Sequence, residues 1–529
     1  MGITPLTLKP DYWKNFEITE EDLQFIYNHL LELETPLTAE ELVETLVIER
    51  IRREKDNLLQ QQNHSNQIYR PGEPYQIGQQ LLFPAFNWKR GRVLSIREGN
   101  NPEISSFKVI EVEFENGERH LFASELPDHK LNTPIEISLD DPELDPKYVL
   151  KSHGQQLIKV LTQHLEGNPE LVKIAGRWFP RALLVDINMG HLNLAEAILE
   201  VANGGPLPTH ELMEQLDLPQ DVNPKLTEFS LNLALQNDER FDEVGPAGKI
   251  LWYLRRLEPE FVKQPPPQLT YTPYPYQPEK VAGLLAQFEG HIADELDQCI
   301  APPATNDEVT ITLLYPHFRV GALPVCGDLY RFFPTAYESP RVRFTFVDAE
   351  TRAQFEGWVV REHGYVLGLR EWFLKNECFP GSLITIRKSE VPGEVIVSSG
   401  HRRPTREWLR TAMVGSDGGI VFAMLKHNIS TPYDERMAIV VPDQEALDKV
   451  WEQSNSRNRS LPQIVKKVMF ELAKLSPQGH VHAQELYAAV NIIRRSPPGP
   501  IVSILLESEW AQHLGDLYFR FHDSNSTEG

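Results

Sequence analysis

Between residues 262 and 280 the chain reads VKQPPPQLTYTPYPYQPEK, and no helix or interior strand runs through such a segment. Each proline removes a backbone donor and fixes φ near about −65°. A Pro/Tyr-rich stretch of this kind is extended and semi-rigid, so it predicts a linker between folded modules. A second stretch, Asn132–Lys147, alternates proline with acids and predicts another linker. With 529 residues to place, a division into about three to five units is expected.

Hydropathy patterning fills in the modules. Residues 1–70 form a helical module, with Thr19/Asp22 and Thr38/Glu41 as capping boxes ahead of Leu23, Ile26, Leu30 and Leu42, Leu46. Residues 75–132 change to short alternating runs, Gln80–Phe83, Arg92–Ile96, Phe107–Phe114 and Arg119–Phe122, a spacing that predicts a small β-barrel. Residues 148–260 return to helical periodicity and close on a predicted hairpin around Gly245-Pro246-Ala247-Gly248. Residues 261–307 are read as the Pro/Tyr linker plus a helix, 308–400 as strand-rich, 401–460 as a basic segment and connecting region, and 461–522 as helical with a terminal hairpin. The tail 523–529 reads as disordered.

Three places share one pattern, a short extended element followed by a helix opening on Glu-Leu: PLTAEELVETL (36–46), GPLPTHELMEQL (205–216) and GHVHAQELYAAV (479–490). The last two continue into a third helix and an apolar hairpin, DERFDEVGPAGKILWYL and EWAQHLGDLYFRF. Helix, strand, helix, helix, hairpin is the winged-helix order, and these hairpins resemble the wing of the family that includes the delta subunit of bacterial RNA polymerase. The 36–46 copy has no wing in the adjoining sequence and reads as a helical hairpin. The third helices, KLTEFSLNLALQND and PIVSILLESEW, almost lack Arg and Lys, whereas a recognition helix on DNA needs base- and phosphate-reaching side chains. Packing or protein contact is therefore the expectation for these helices.

Residues 309–400 resemble the B3-type DNA-binding pseudobarrel in the order of Leu323-Pro324, a hairpin across Asp348–Arg352, FEGWVV (355–360), YVLGLREWFL (365–374) and NECFPGS (376–382). Ser382 stands where that family has an acidic residue. The resemblance implies two loop arms on the major groove, with Arg319 on the first and Arg361, Glu362 and His363 on the second, supported by Arg341, Arg343 and Arg352. The run HRRPTREWLR (401–410) follows at once and adds Arg402, Arg403, Arg406 and Arg410 around Trp408. GQQLLFPAFNWKRGRVLSIREG (78–99) resembles an SH3-like barrel of the Tudor or transcription-factor type, with Trp88, Lys89, Arg90 and Arg92 near one turn. Arg494 and Arg495 are the basic pair of the last module. The fold class expected is multidomain α+β: winged-helix modules, an SH3-like barrel and a B3-like pseudobarrel joined by Pro-rich linkers.

The formal net charge of −23 opposes polyanion binding at long range. Screening beyond about 8 Å leaves a local cationic patch decisive. No G-x-x-x-x-G-K-[ST], G-x-S-x-G, H-E-x-x-H or Glu-x-Lys occurs, so no catalytic role is expected. His480-Val-His482 and the nearby pair His317 and Cys326 lack a further ligand in sequence, so neither metal nor cofactor is expected. Three cysteines without a C-x-x-C, and the lack of a signal peptide or about 18 consecutive apolar residues, fit a cytoplasmic protein with no membrane partner. The reading that follows is a non-enzymatic DNA-binding or transcription-associated regulator of duplex DNA, with a protein partner from the transcription machinery or a DNA-processing enzyme. Its rivals are an interaction scaffold using winged helices without nucleic acid, and a specificity or accessory subunit of a DNA-processing or restriction system.

Overall fold

The computed structural model describes residues 11–63, 68–83, 86, 89–100, 106–114, 117–132, 142–219, 221–288, 291–297, 307–416, 418–456 and 459–522. It is mixed α+β with several sheets, one of them curled into a half-barrel. The chain divides at Leu184/Val185 into two compact units. Trp88, most of the segment 132–147 and the tail 523–529 lie outside the described residues. Among the described residues no helix is long and apolar enough to cross a membrane.

The first unit opens with α1 (Glu20–Leu33), β1 (Leu37–Thr38) and α2 (Ala39–Asn63). Both predicted capping boxes form: Thr19 and Asp22 bond reciprocally, and the Thr38 amide donates to Glu41 Oε2 at 2.7 Å. An antiparallel meander follows, β2 (Gln80–Phe83), β3 (Lys89–Glu98), β4 (Lys108–Phe114) and β5 (Arg119–Ser124), around a core of Leu81, Phe83, Val93, Ile110, Val112 and Phe114. Then come α3 (Pro146–Glu166), β6 (Leu171–Ile174) and β7 (Arg177–Pro180).

β7 pairs back with β1, Leu37 opposite Trp178, giving the sheet order β1-β7-β6. The 36–46 copy therefore has a hairpin after all. It is supplied by residues 171–180, and the whole β2–β5 meander is inserted between its second and third helices. Two expectations are corrected together. The copy is not a bare helical hairpin, and residues 148–184 belong to the first unit rather than to a 148–260 domain. Adjacent sequence hid this, because strand pairing is decided in space rather than along the chain.

The second unit starts with α4 (Met189–Val201), β8 (Leu207–Pro208), α5 (Thr209–Met213), α6 (Pro224–Gln236), β9 (Phe241–Glu243) and β10 (Leu251–Leu254), in sheet order β8-β10-β9. Short α7 (Glu260–Lys263) and α8 (Pro278–Leu285) follow. A seven-stranded sheet comes next, built from β11 (Glu308–Thr312), α9 (Tyr315–Val320), β12 (Ala322–Pro324), β13 (Arg341–Asp348), β14 (Gln354–Val360), β15 (Tyr365–Leu367), α10 (Arg370–Lys375), β16 (Leu383–Lys388) and β17 (Glu394–Ser398). Its order is β11-β16-β17-β13-β14-β15-β12. The unit ends with β18 (Thr405–Val414), β19 (Ile420–Ile429), β20 (Ile439–Val440), α11 (Gln444–Ser456), α12 (Leu461–Ala473), β21 (His480–His482), α13 (Ala483–Val490), α14 (Pro498–Glu507), β22 (Ala511–Gly515) and β23 (Tyr518–Phe521). The last sheet runs β21-β23-β22.

All three copies thus pair their first strand with their last. A large buried aromatic occupies the same register position in each: Trp178 opposite Leu37, Trp252 opposite Leu207 and Phe519 opposite Val481. Among the described residues, the segment 262–293 is not a free linker. Tyr274 and Tyr276 pack against the main core, Val281, Leu285, Ile292 and Ala293 lie within it, and Gly499 of α14 sits against the Tyr276 ring. A proline-rich backbone remains extended there, but its aromatic and aliphatic side chains are buried, which fixes it to its neighbours.

If β6–β7 complete the first copy, Trp178→Ala removes the core residue of that copy. Urea unfolding of the N-terminal unit is expected to lose about 3–5 kcal/mol; a change within about 0.5 kcal/mol, the range of an ordinary surface substitution, would show the hairpin to be peripheral.

Candidate nucleic-acid interface

The basic exit runs into a strand at Thr405, so Arg406, Trp408 and Arg410 lie on β18 while Arg402 and Arg403 precede it. Gly415 donates to the Gly419 carbonyl at 2.7 Å and Gly418 to the Gly415 carbonyl at 2.9 Å, so a glycine-rich turn reverses the chain. Gly418 has φ 71°, a conformation that costs glycine little. β18 and β19 then pair antiparallel along their whole lengths, from Val414–Ile420 to Thr405–Ile429, with β20 parallel on the other side of β18. Alternation puts Arg406, Trp408 and Arg410 on one face, opposite Asn428, Lys426 and Met424. Toward the turn this face is buried at Ala412, Phe422 and Ile420; toward the open end it is exposed.

Trp408 is 59% exposed, and Lys426 Nζ stands 5.0 Å from its ring centroid. Arg402, Arg403 and Arg406 are exposed, and Arg402 lies over the Tyr433 ring at 5.7 Å. Among the described residues, none of Arg402, Arg403, Arg406 and Lys426 forms an ion pair. Glu407, the acid in the middle of this run, belongs to the opposite face with His427. The open end of the ribbon therefore combines free cations with an exposed indole, the pairing that suits phosphates and bases.

The other candidate cations are mostly engaged, and several are corrections. Arg495 is fully buried and bonds Asp294 at 2.5 and 3.0 Å and Glu295 at 2.9 Å, so it faces no ligand. Arg341 is buried between Asp242 and Glu258 and also donates to the Val262 carbonyl. Arg319 is not on an open arm but in α9, where Asp448 takes it bidentately at 2.5 and 3.1 Å. Arg410 pairs with Glu485 at 2.8 Å and donates to the carbonyls of Glu435 and Arg436. Arg343 pairs with Glu356 at 2.7 Å, and Arg494 donates to the Arg459 carbonyl. In an acidic chain a cation that finds a carboxylate partner in the fold is withdrawn from the surface field.

Arg361 donates to the Ser339 carbonyl at 2.7 Å, and His363 stacks on Tyr365, which shapes the β14–β15 turn. Arg352 is exposed at φ 60° in the β13–β14 turn, a turn that Asp348 holds by accepting the Glu350 and Thr351 amides. In the first unit Lys89, Arg90 and Arg92 are exposed on β3. There Arg92 lies opposite Glu113, which Arg119 pairs at 3.0 Å, so that face carries both signs. His482 caps α13 by accepting the Gln484 amide, and burial followed by the Arg436 charge lowers its pKa to about 4. His317 bonds Glu295 at 2.8 Å. Burial pushes the thiols of Cys326 and Cys378 up to about 12, which leaves both unreactive.

Nor are the third helices of the second unit offered to a ligand. Every residue of α14 from Pro498 to Leu505 is buried, and α6 buries Leu226, Phe229, Leu231 and Leu235. The β9–β10 hairpin is occupied as well: Ser339 donates to the Glu243 carbonyl, Arg343 N–H to the Val244 carbonyl at 2.8 Å, and Val244 and Tyr253 pack with Trp358 and Tyr365. Sequence reasoning missed Lys426, whose signal was the glycine-rich GSDGG turn between two equal apolar-polar runs. No protein family, curated protein or solved structure matches this chain.

The Arg341 cluster sets a pH dependence. Burial, then the hydrogen bond to Asp242 and its charge, raises Glu258 to about 8 despite Arg341 beside it, and burial raises Glu243 to about 7 against the bonds it accepts from Gly245 and Leu251. A carboxyl with a raised native pKa holds its proton in the fold while the unfolded chain releases it. Its stability contribution is full below the unfolded value of about 4.3 and is lost as pH rises through the native value. Glu258→Gln, which keeps the neutral shape, is therefore expected to gain stability relative to wild type between pH 5 and 9, read by denaturant titrations at each pH. A difference that stays constant across that window would contradict the assignment.

Proposed function

We propose that the chain is a non-enzymatic, nucleic-acid-binding regulatory protein that lays the open end of the β18–β19 ribbon into the major groove of duplex DNA. The three helix–strand–helix–helix–hairpin copies are winged-helix modules used for packing. An SH3-like barrel is inserted in the first of them, and a B3-like pseudobarrel carries the ribbon. The major groove admits a two-stranded ribbon, and strands serve as readers in known binding modes. The reading is carried by one observation: Arg406 and Lys426 share the face of exposed Trp408, Arg402 and Arg403 are exposed at the same open end, and among the described residues none of these four cations pairs with a carboxylate, while most of the other candidate arginines of this unit are engaged internally.

Fluorescence anisotropy with duplex DNA over a salt series tests it. Replacing Arg402, Arg403 and Arg406 together by Ala is expected to weaken binding and to reduce the slope of log K against log salt by about 2–3, near 0.9 per phosphate contact. Trp408→Ala is expected to weaken binding while leaving that slope unchanged. Equal affinity and slope in wild type and triple variant would remove the ribbon from consideration, and wild type that binds no duplex at low salt would leave the interaction-scaffold reading.

A further inference from the structure

β19 is the outer strand of its sheet, whose order is β19-β18-β20. The Gly415 to Gly419 bond fixes the phase of the ladder. Hydrogen-bonded and non-hydrogen-bonded pairs alternate in an antiparallel ribbon. Met413–Val421, Thr411–Ala423, Leu409–Leu425 and Glu407–His427 are therefore the bonded pairs, and Arg410–Met424, Trp408–Lys426 and Arg406–Asn428 the others. In the latter the backbone groups point away from the partner strand. On β18 the outward side is taken up by β20, with Arg410 beside Ile439 and Thr411 beside Val440. On β19 the outward N–H and C=O groups of Met424, Lys426 and Asn428 meet no strand among the described residues.

This edge lacks the usual protections. It is ten residues long, carries no proline and has no bulge in its register, and Val421, Met424 and Leu425 are exposed beside a single full charge, Lys426. Edges of this kind template the addition of another strand. We infer that β19 is where a second copy of this chain adds, antiparallel, about a two-fold axis through Leu425. That register is self-complementary in three respects. It brings outward backbone groups together, Met424 of one copy exchanging bonds with Lys426 of the other on each side of the axis. It places the Leu425 side chains against each other at a non-hydrogen-bonded position, where side chains are closest. It keeps the lysines apart, whereas centring on Lys426 would oppose like charges.

The contact is a short strand addition, well under the area of a permanent dimer, so the population shifts with concentration. Its use rests on the nucleic-acid reading. Arg406, Trp408 and Lys426 of both copies fall on one face of a continuous sheet, which doubles the cations and indoles that one assembly offers to a duplex.

Sedimentation velocity of the full chain over a concentration series tests the pairing. Wild type is expected to pass from monomer to dimer. Met424→Pro removes an amide aimed at the second copy while sparing the ladder to β18, and is expected to stay monomeric with an unchanged circular dichroism spectrum. Leu425→Lys and Leu425→Glu are each expected to be monomeric alone and to dimerise when mixed. A wild type that is monomeric up to its solubility limit overturns the proposal, as does a dimer indifferent to all of these changes. Arg403→Ala combined with Arg406→Ala separates the two readings: it is expected to weaken DNA binding and to leave the dimer intact. DNA binding without dimerisation refutes only the pairing, and dimerisation without DNA binding refutes only the nucleic-acid function.

Discussion

A guanidinium cannot be buried alone, and in the second unit Arg495 is fully enclosed between Asp294 and Glu295. Burial by itself lowers the pKa of Arg495 and raises that of Glu295. Instead the two carboxylates hold Arg495 protonated, and Arg495 with His317 holds Glu295 well below the usual carboxylate range. Tyr487 of α13 donates to Asp294 at 2.5 Å, and burial and that carboxylate push its own pKa up. Removing one member of such a group leaves an uncompensated charge in a dry interior, a loss of about 3–5 kcal/mol in comparable cases. One network therefore ties the 291–297 segment, α9 and the C-terminal module together.

The same matching of charges explains how an acidic chain keeps a cationic face. Carboxylates outnumber Lys and Arg, 75 to 52, and the fold spends that excess on arginines such as Arg319, Arg341, Arg343 and Arg410. Engaged cations add little to the external field. The ribbon is different because its alternation sends Glu407 to the far face and leaves Arg406, Trp408 and Lys426 together. Its affinity for a polyanion is then a local property, insulated from the distant net charge by screening over about 8 Å.

Much of this architecture was legible in local sequence. The strand Gln80–Phe83 falls where alternation put it, the capping boxes form, and residues 308–400 are strand-rich as expected. What failed were inferences that needed space. The hairpin of the first copy lies more than a hundred residues beyond its strand, across an inserted meander. The Pro/Tyr segment looks like a linker until its tyrosines find a core. The candidate site was half legible: Arg402, Arg403, Arg406 and Trp408 were visible as a basic run, while Lys426 reached them only through strand pairing. Arg495 and Arg341 looked like surface cations because nothing in a linear sequence shows that Asp294 or Asp242 lies beside them.

Amide hydrogen exchange of the full chain, with and without duplex DNA, tests the central claim most directly. Slowed exchange concentrated in residues 402–410 and 424–430, with α6 and α14 unchanged, is the expected result. Slowing at α6, at α14 or at β3 instead of the ribbon would contradict the account.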